Sequence, residues 1–312
     1  MQTTTENIPA HGLTTTDLPA IFLATDKSSL RGQHGFINQI RLQIIFLCIG
    51  AIAGVFTYKV TWGTTTTDLP GIVTAVAFLL TLMLQLFRFG STADKIWYND
   101  RAVAESTKTM AWRYAVGGNP FSVNVSEKDA DLLLLNRLTD ILHRMHTRHA
   151  TGLLSQDSAQ ITAAMRQLRQ QPLATRREAY AVGRIQDQFA WYTKNAQKNE
   201  QNATFWNVML VVLESVGVIF ALFKIVGLFQ VDVFGIAGTL AGAVVTWMQM
   251  KQQQLLARSY SVTAMELAAI KEKIPYQQTE DDWAHFVDDA EAAISREHTL
   301  WLASRSAPNA ED

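Results

Sequence analysis

The chain has 312 residues, 48% of them hydrophobic, with a formal net charge of −1 and a mean hydropathy of +0.04. A net charge this close to zero gives no general attraction for nucleic acid, so no direct nucleic-acid partner is expected. The single cysteine, Cys48, excludes an intramolecular disulfide and a cysteine metal site. Because no basic segment leads into an apolar run at the N-terminus, we expect no cleavable signal peptide.

Four apolar blocks interrupt a chain that is otherwise rich in charged residues. They cover residues 42–62, 69–87, 203–228 and 233–250. A helix of about 20 residues crosses a hydrocarbon core roughly 30 Å thick. A soluble core of buried hairpins is the alternative, but a protein of this size seldom needs four such stretches. The predicted fold class is therefore an all-α integral membrane protein, with four transmembrane helices paired as two hairpins and long helical cytoplasmic extensions.

Basic residues flank the spans on one side only, and the two short connectors contain no Lys or Arg. The positive-inside rule then places both termini and the middle of the chain in the cytoplasm, with almost nothing on the far side of the membrane. Lys59, near the end of the first block, is expected to reach the interface. The predicted segments are an N-terminal cytoplasmic segment (1–40), a first transmembrane hairpin (41–90), a cytoplasmic helical region (91–200), a second transmembrane hairpin (201–251) and C-terminal cytoplasmic helices (252–312).

The segment that leads into the third span is predicted to be one continuous helix. It begins near Thr175 and passes through Trp191 without a Gly-Pro pair to stop it. Such a helix would act as a rigid rod between cytoplasm and membrane. The chain also repeats one layout, a spanning hairpin followed by cytoplasmic helices, with little sequence identity between the halves.

Polar residues inside the spans are the candidates for pore lining. Glu214 lies near the middle of the third span, where a charge is costly and usually faces a bundle interior or water. The alternative is that the Glu214 carboxyl is neutral, or hydrogen-bonded to a helix backbone or a neighbouring threonine, and serves only helix packing. Thr74, Thr81 and Gln85 share one face of the second span, which suggests a lumen, although interhelical hydrogen bonding is the favoured explanation for the two threonines alone. The glycines that permit close helix packing are Gly50, Gly54, Gly235, Gly238 and Gly242.

Two groups of residues outside the spans, three histidines and five arginines, are weaker candidates for binding a ligand. His143, His146 and His149 are spread around a helix by their three-residue spacing, which suits zinc poorly, so no metal site is predicted. A cluster of arginines can hold a nucleotide or acidic lipid, although a solvated basic face is the simpler interpretation; its members are Arg166, Arg169, Arg176, Arg177 and Arg184. No phosphate-binding loop, nucleophile motif or dinucleotide motif is present, so neither an enzyme nor a bound cofactor is predicted.

Four stretches together resemble the SLATT family of bacterial membrane effectors, which are described as associated with nucleotide-second-messenger synthases and SLOG sensor domains. They are LPAIFLATDKSSLRGQHGFINQIRL, RAVAESTKTMAWRYAVGGNPF, RIQDQFAWYTKNAQKN and SYSVTAMELAAIKEKI, within residues 18–300. Gly183, in the middle of a helix, is a minor departure. The family-like aromatic and charged positions are expected to form a cytoplasmic interface that either packs or switches: Glu105, Lys108, Trp112, Arg113, Arg184, Trp191, Tyr192 and Lys194.

The resemblance implies a pore-forming or membrane-disrupting effector of an antiviral conflict system, gated by a cytoplasmic signal. A single copy has too few helices for a wide conduit, so a homo-oligomer in the lipid bilayer is expected. A cytoplasmic nucleotide sensor or signal-producing enzyme is a further possible partner. The alternatives are a membrane scaffold that anchors such a protein and, with less support, a small ion-coupled transporter.

Overall fold

The computed structural model describes residues 12–90, 93–145, 159–228 and 233–306. Within these ranges the chain is almost entirely helical. The helices are α1 (Ala20–Gly54), α2 (Leu69–Gly90), α3 (Ala93–Val116), α4 (Glu127–Met145), α5 (Ala163–Arg169), α6 (Leu173–Tyr180), α7 (Asp187–Ile225), α8 (Val233–Lys251), α9 (Gln253–Lys273) and α10 (Glu280–Ser306). The structure also contains two short strands, β1 (Lys59–Trp62) and β2 (Thr65–Asp68), and a π-helical turn (Ala181–Gln186).

Four helical stretches are long and apolar enough to cross a membrane, which confirms the four predicted spans. They lie within Ala20–Gly54, Leu69–Phe87, Leu173–Ile225 and Val233–Tyr276. Most of their apolar side chains are exposed in a single copy, as expected for surfaces that contact lipid. The chain is therefore a membrane protein whose spans form two helical hairpins.

The first span ends earlier than predicted. Helix α1 stops at Gly54, and residues 59–68 form an antiparallel β-hairpin in which Lys59 lies opposite Asp68. The prediction that the span continues to Trp62, with Lys59 at its helical end, is wrong. The β-branched run after Tyr58 favours extended backbone. Gly63 has φ +64° at the first loop position, which two-residue hairpin turns require.

The chain divides into two compact units. The described residues within 34–93 and 196–258 form one, here called the membrane unit, and the described residues within 12–33, 94–195 and 259–306 form the other, here called the extramembrane unit. The core of the extramembrane unit is built around α3, whose Trp112 and Tyr114 side chains are almost completely buried. Trp283 of α10 and Tyr180 of α6 pack into the same core.

Small residues hold each hairpin of the membrane unit together. A Cβ atom placed on Gly50 of α1 would lie 3.4 Å from the Cβ of Ala77 in α2. In the second hairpin, a Cβ atom on Gly217 of α7 would lie 3.5 Å from the Cβ of Ala237 in α8. These ordinary van der Waals distances show that the glycines allow close helix approach. Each hairpin therefore has one glycine packed on one buried alanine.

The predicted continuous rod into the third span is helical throughout but is not one uniform α-helix. The π turn Ala181–Gln186 separates α6 from the 39-residue helix α7. Gly183 lies within this turn, where its low α-helical propensity makes a departure from α geometry less costly. The polar contacts of Arg184, described below, favour the same geometry.

Candidate functional site

The π turn places the side chain of Arg184 against Glu291 of α10. The guanidinium donates from Nε to Glu291 Oε1 at 2.8 Å and from Nη2 to Oε2 at 2.7 Å. Arg184 is 1% exposed and Glu291 is fully buried, so the pair is shielded from water. Two parallel charge-assisted hydrogen bonds fix both the distance and the orientation of the two elements.

Two hydroxyl groups complete what we call the Arg184 cluster, which consists of Thr109, Tyr180, Arg184 and Glu291. Thr109 Oγ1 donates to Glu291 Oε2 at 2.9 Å, and the Tyr180 hydroxyl donates to Oε1 at 3.0 Å. The carboxylate thus accepts four hydrogen bonds from three elements. Because buried polar groups are costly when unpaired, the cluster forms or breaks as a unit.

The charges of the cluster reinforce each other. Burial alone would lower the pKa of Arg184, but the Glu291 carboxylate raises that pKa above its ordinary value, so the guanidinium stays charged. Burial and the same carboxylate raise the pKa of Tyr180 well above its ordinary value, so its hydroxyl stays protonated. At neutral pH the cluster is an ion pair with a neutral tyrosine donor.

Lys108 lies next to this cluster and lacks comparable stabilisation. Burial and the Arg184 charge lower the pKa of the Lys108 amine, while Glu105 and Asp187 oppose that shift. Glu105 itself forms an ion pair with Arg101 at 2.5 Å. A partly buried amine beside a buried guanidinium makes this region sensitive to added or removed charge.

Three of the predicted arginine-cluster residues are buried, so the interpretation of the whole cluster as a solvated basic face is wrong. Arg169 donates to the backbone carbonyls of Tyr114, Phe121, Ser122 and Val125. Arg176 donates to the Val116 carbonyl at 2.7 Å and forms an ion pair with Glu280. The carbonyls at the end of α3 and in the following loop need donors, and these guanidinium groups supply them.

The predicted aromatic positions pack in two places within the extramembrane unit. Trp112 contacts Tyr180 edge-on at a centroid distance of 6.0 Å, inside the core. Trp191 and Tyr192, which are adjacent on α7, both contact the ring of Tyr260 on α9, at 5.3 and 5.5 Å. Trp191 is 42% exposed, whereas Tyr192 is buried.

The remaining predicted interface residues lie nearer the surface. Arg113 forms an ion pair with Asp288 at 2.6 Å, and Lys194 is exposed on α7. His143 is exposed at the end of α4, while His146 and His149 lie outside the described residues. The structure therefore brings Arg184, Lys108 and Trp112 to the core region but leaves Lys194 outside it.

The predicted polar stripe of the second span lies partly against the first span. Thr74 Oγ1 donates to the Gly50 carbonyl at 3.2 Å, and Gln43 Nε2 donates to Gln85 Oε1 at 2.8 Å. Thr81 bonds to a carbonyl of its own helix. Of the two threonines, Thr74 thus makes the interhelical bond that the alternative requires, whereas the bond of Thr81 stays within its helix. Gln85 also bonds the first span, so its amide contributes to holding the first hairpin together.

Glu214 occupies a different environment. It is exposed on α7, near the middle of the third span, in the surface that a single copy presents to the bilayer.

The predicted packing glycines differ in how they are used. Gly238 and Gly242 of α8 are exposed, and a Cβ atom on either would meet no atom within 4 Å. Gly54, by contrast, packs beside Thr74, at 3.5 Å between its hypothetical Cβ and Oγ1. Only part of the predicted glycine set is used for packing within one copy; Gly235 is intermediate in exposure.

Sequence reasoning missed Glu291, Thr109 and Tyr180. A signal for Glu291 is present in α10, because Glu291 follows Trp283 and Val287 at helical spacing on the buried face. A carboxylate in an apolar stripe predicts a buried partner. Its partner Arg184 is 107 positions away in the sequence, and no local pattern connects the two residues.

Two family models match successive parts of the chain. The description "SMODS and SLOG-associating 2TM effector domain 3" matches residues 19–177, and "SMODS and SLOG-associating 2TM effector domain 1" matches residues 180–301. The chain belongs to the SLATT family. It contains two SLATT domains, each with one membrane hairpin, so the predicted family and the repeated layout are confirmed. No curated protein and no solved structure matches the chain.

The junction between the two SLATT domains lies close to the Arg184 cluster. The first domain ends at residue 177 and the second begins at residue 180, just before the π turn. Within the cluster, Thr109 comes from the first domain, whereas Tyr180, Arg184 and Glu291 come from the second. The cluster therefore joins the two SLATT domains.

Proposed function

We propose that this SLATT protein is a membrane-disrupting effector of the bacterial inner membrane that acts as a homo-oligomer. Its extramembrane unit is cytoplasmic, holds the protein closed at rest and opens it in response to a signal. The description of both domains as effector domains supports a direct action on the cell. Their association with SMODS and SLOG proteins supports a signalling protein as the source of that signal.

The observation that carries this proposal is the exposure of Glu214. A charged residue near the middle of a bilayer costs at least about 2.5–3.5 kcal/mol, so such residues usually face protein or water. In one copy Glu214 faces outward. Further copies that surround a shared polar path would remove that cost. The exposed glycines Gly238 and Gly242 would then contact a neighbouring copy rather than the same chain.

The test is induced expression in cells together with the partner system that supplies the signal. We expect the wild type to collapse membrane potential and admit a normally excluded dye. Glu214→Gln should greatly weaken both effects. Glu200→Gln is the matched control, because it removes the same charge from the same helix outside the predicted span. Intact potential and dye exclusion with the wild type would refute the proposal.

A membrane scaffold that anchors a cytoplasmic sensor or enzyme is the second candidate. The use of Thr74 and Gln85 inside the first hairpin favours it, because these residues then contribute no polar lining. A scaffold should tolerate Glu214→Gln and lose activity with Trp191→Ala, whereas a pore should show the greater sensitivity at Glu214. Gradient-dependent, saturable flux in liposomes would instead indicate an ion-coupled transporter.

A further inference from the structure

The π turn before α7 contains one more residue than an α-helix would need to connect the same two ends. A single π turn is a one-residue insertion into an α-helix. If Ala181–Gln186 adopts α geometry without losing a residue, the rest of that helix, α7, rotates by roughly 100° and advances about 1.5 Å relative to α6 and to the helices that pack against it. Each later residue then occupies the place of the residue that follows it.

The resting register is held on both sides of the turn. Arg176 anchors α6 through its 2.7 Å bond to the Val116 carbonyl. Tyr180, the last residue of α6, bonds Glu291 at 3.0 Å. Arg184, inside the turn, holds the same carboxylate with two bonds and would be displaced by a change of register. The Arg184 cluster therefore stabilises the π form.

We propose that the π turn is a one-residue register switch, in which loss of the Arg184–Glu291 pair converts the turn to α-helix and shifts α7 by one position. Its use as the gate rests on the proposed function, but the shift itself is tested separately below.

The shift changes the contact that holds the second hairpin together. In the resting register, Gly217 packs on Ala237. After the shift, Val216 occupies the place of Gly217. A hypothetical Cβ at Gly217 already lies 3.5 Å from the Ala237 Cβ and 3.9 Å from the Phe234 ring, so the two additional γ-carbons of a valine would crowd these side chains. Overpacking of this kind is relieved by moving the helices apart. The shift thus opens the hairpin.

The aromatic contact on α9 tolerates the same shift. Trp191 moves into the place of Tyr192, and both rings already contact Tyr260. Elsewhere the shift is unfavourable, because Asn202 takes the place of the buried Ala203. The shifted form is therefore higher in free energy, and the protein rests in the π form until the cluster is broken.

Two cysteine pairs distinguish the registers. In a Cys48→Ser background, Gly217→Cys with Ala237→Cys reports the resting register, and Val216→Cys with Ala237→Cys reports the shifted one. The resting pair has a Cβ separation suited to a disulfide. Purified protein in liposomes is oxidised with copper phenanthroline, and the disulfide yields are measured with and without Arg184→Met.

We expect the resting pair to cross-link in the otherwise unchanged chain. Arg184→Met should lower that yield and raise the Val216 yield, by roughly tenfold, because in a two-state equilibrium one register gains the population that the other loses. Gly183→Ala, which favours α geometry without touching the cluster, should act in the same direction and covers the case in which Arg184→Met fails to fold. Deletion of Gly183 removes the extra residue and should keep the resting pattern in the presence of Arg184→Met.

The proposal is overturned if the Gly217 pair dominates in both Arg184→Met and Gly183→Ala, or if the deletion variant shows the shifted pattern. A shifted pattern in vesicles that never leak would support the switch and count against membrane disruption.

Discussion

Removal of one partner from the Arg184–Glu291 pair should destabilise the extramembrane unit more than removal of both. Arg184→Met leaves Glu291 buried with only the Thr109 and Tyr180 donors. Glu291→Leu leaves a buried guanidinium without its carboxylate. Each single substitution should cost about 3–5 kcal/mol. In the double variant no unpaired charge remains, and the loss is mainly two hydroxyl hydrogen bonds at about 1 kcal/mol each.

Thermal unfolding of the purified protein in detergent, followed by near-UV circular dichroism, measures this difference. At about 2–4 °C per kcal/mol for a unit of 150–250 residues, each single substitution should lower Tm by roughly 6–20 °C. The Tm of the double variant should fall by only about half as much or less. If the double variant loses the sum of the two single losses, the residues are not coupled and the interpretation of the cluster as one unit is wrong.

Three further substitutions test the packing and the charges of the extramembrane unit, each by unfolding in the same detergent. Gly118→Ala should cost about 1–3 kcal/mol, because its Cβ would overlap the Val287 side chain. The control Gly35→Ala, in the part of α1 that belongs to the membrane unit, meets nothing within 4 Å and should not destabilise the protein. Arg169→Lys should cost at least about 2 kcal/mol, since an ammonium cannot donate to all four carbonyls that the guanidinium reaches; an unchanged Tm would contradict this. Lys108→Met should stabilise the protein at neutral pH, and this gain should shrink as the pH rises from the lowered pKa of Lys108 towards 10.5, because the folded wild type releases its proton first. If the stability gain of Lys108→Met instead grows with pH in that range, the assigned direction of the Lys108 pKa shift is wrong.

The architecture of the spans was predictable because it depends on local information. Apolar length alone identifies a spanning helix: the second and fourth blocks match α2 and α8 within three residues, and the third block covers the C-terminal part of α7. Apolar length does not distinguish a helix from a short β-ribbon, so the end of the first span was placed at Trp62 instead of Gly54. The β-branched residues on both sides of Gly63, which are Val60, Thr61 and the four threonines 64–67, were the signal that favoured strands.

The candidate site was less predictable because its contacts join distant parts of the chain. Arg184 was recognised as an important position, but its partner Glu291 and the burial of both depend on how α10 packs. Arg169 and Arg176 lie in an arginine-rich segment that is typical of a basic surface. In the structure they instead donate to the backbone carbonyls at the end of α3. In the second span, helical spacing correctly grouped Thr74 and Gln85 on one face, but spacing alone does not show which helix covers that face.

Dye release from sealed liposomes that contain only the purified protein tests the central claim most directly. The account predicts that wild-type vesicles retain the dye, that vesicles with Arg184→Met release it, and that adding Glu214→Gln to Arg184→Met restores retention. Vesicles with folded Arg184→Met that hold their dye as well as the wild type would contradict the claim that the extramembrane unit keeps a membrane-disrupting protein closed.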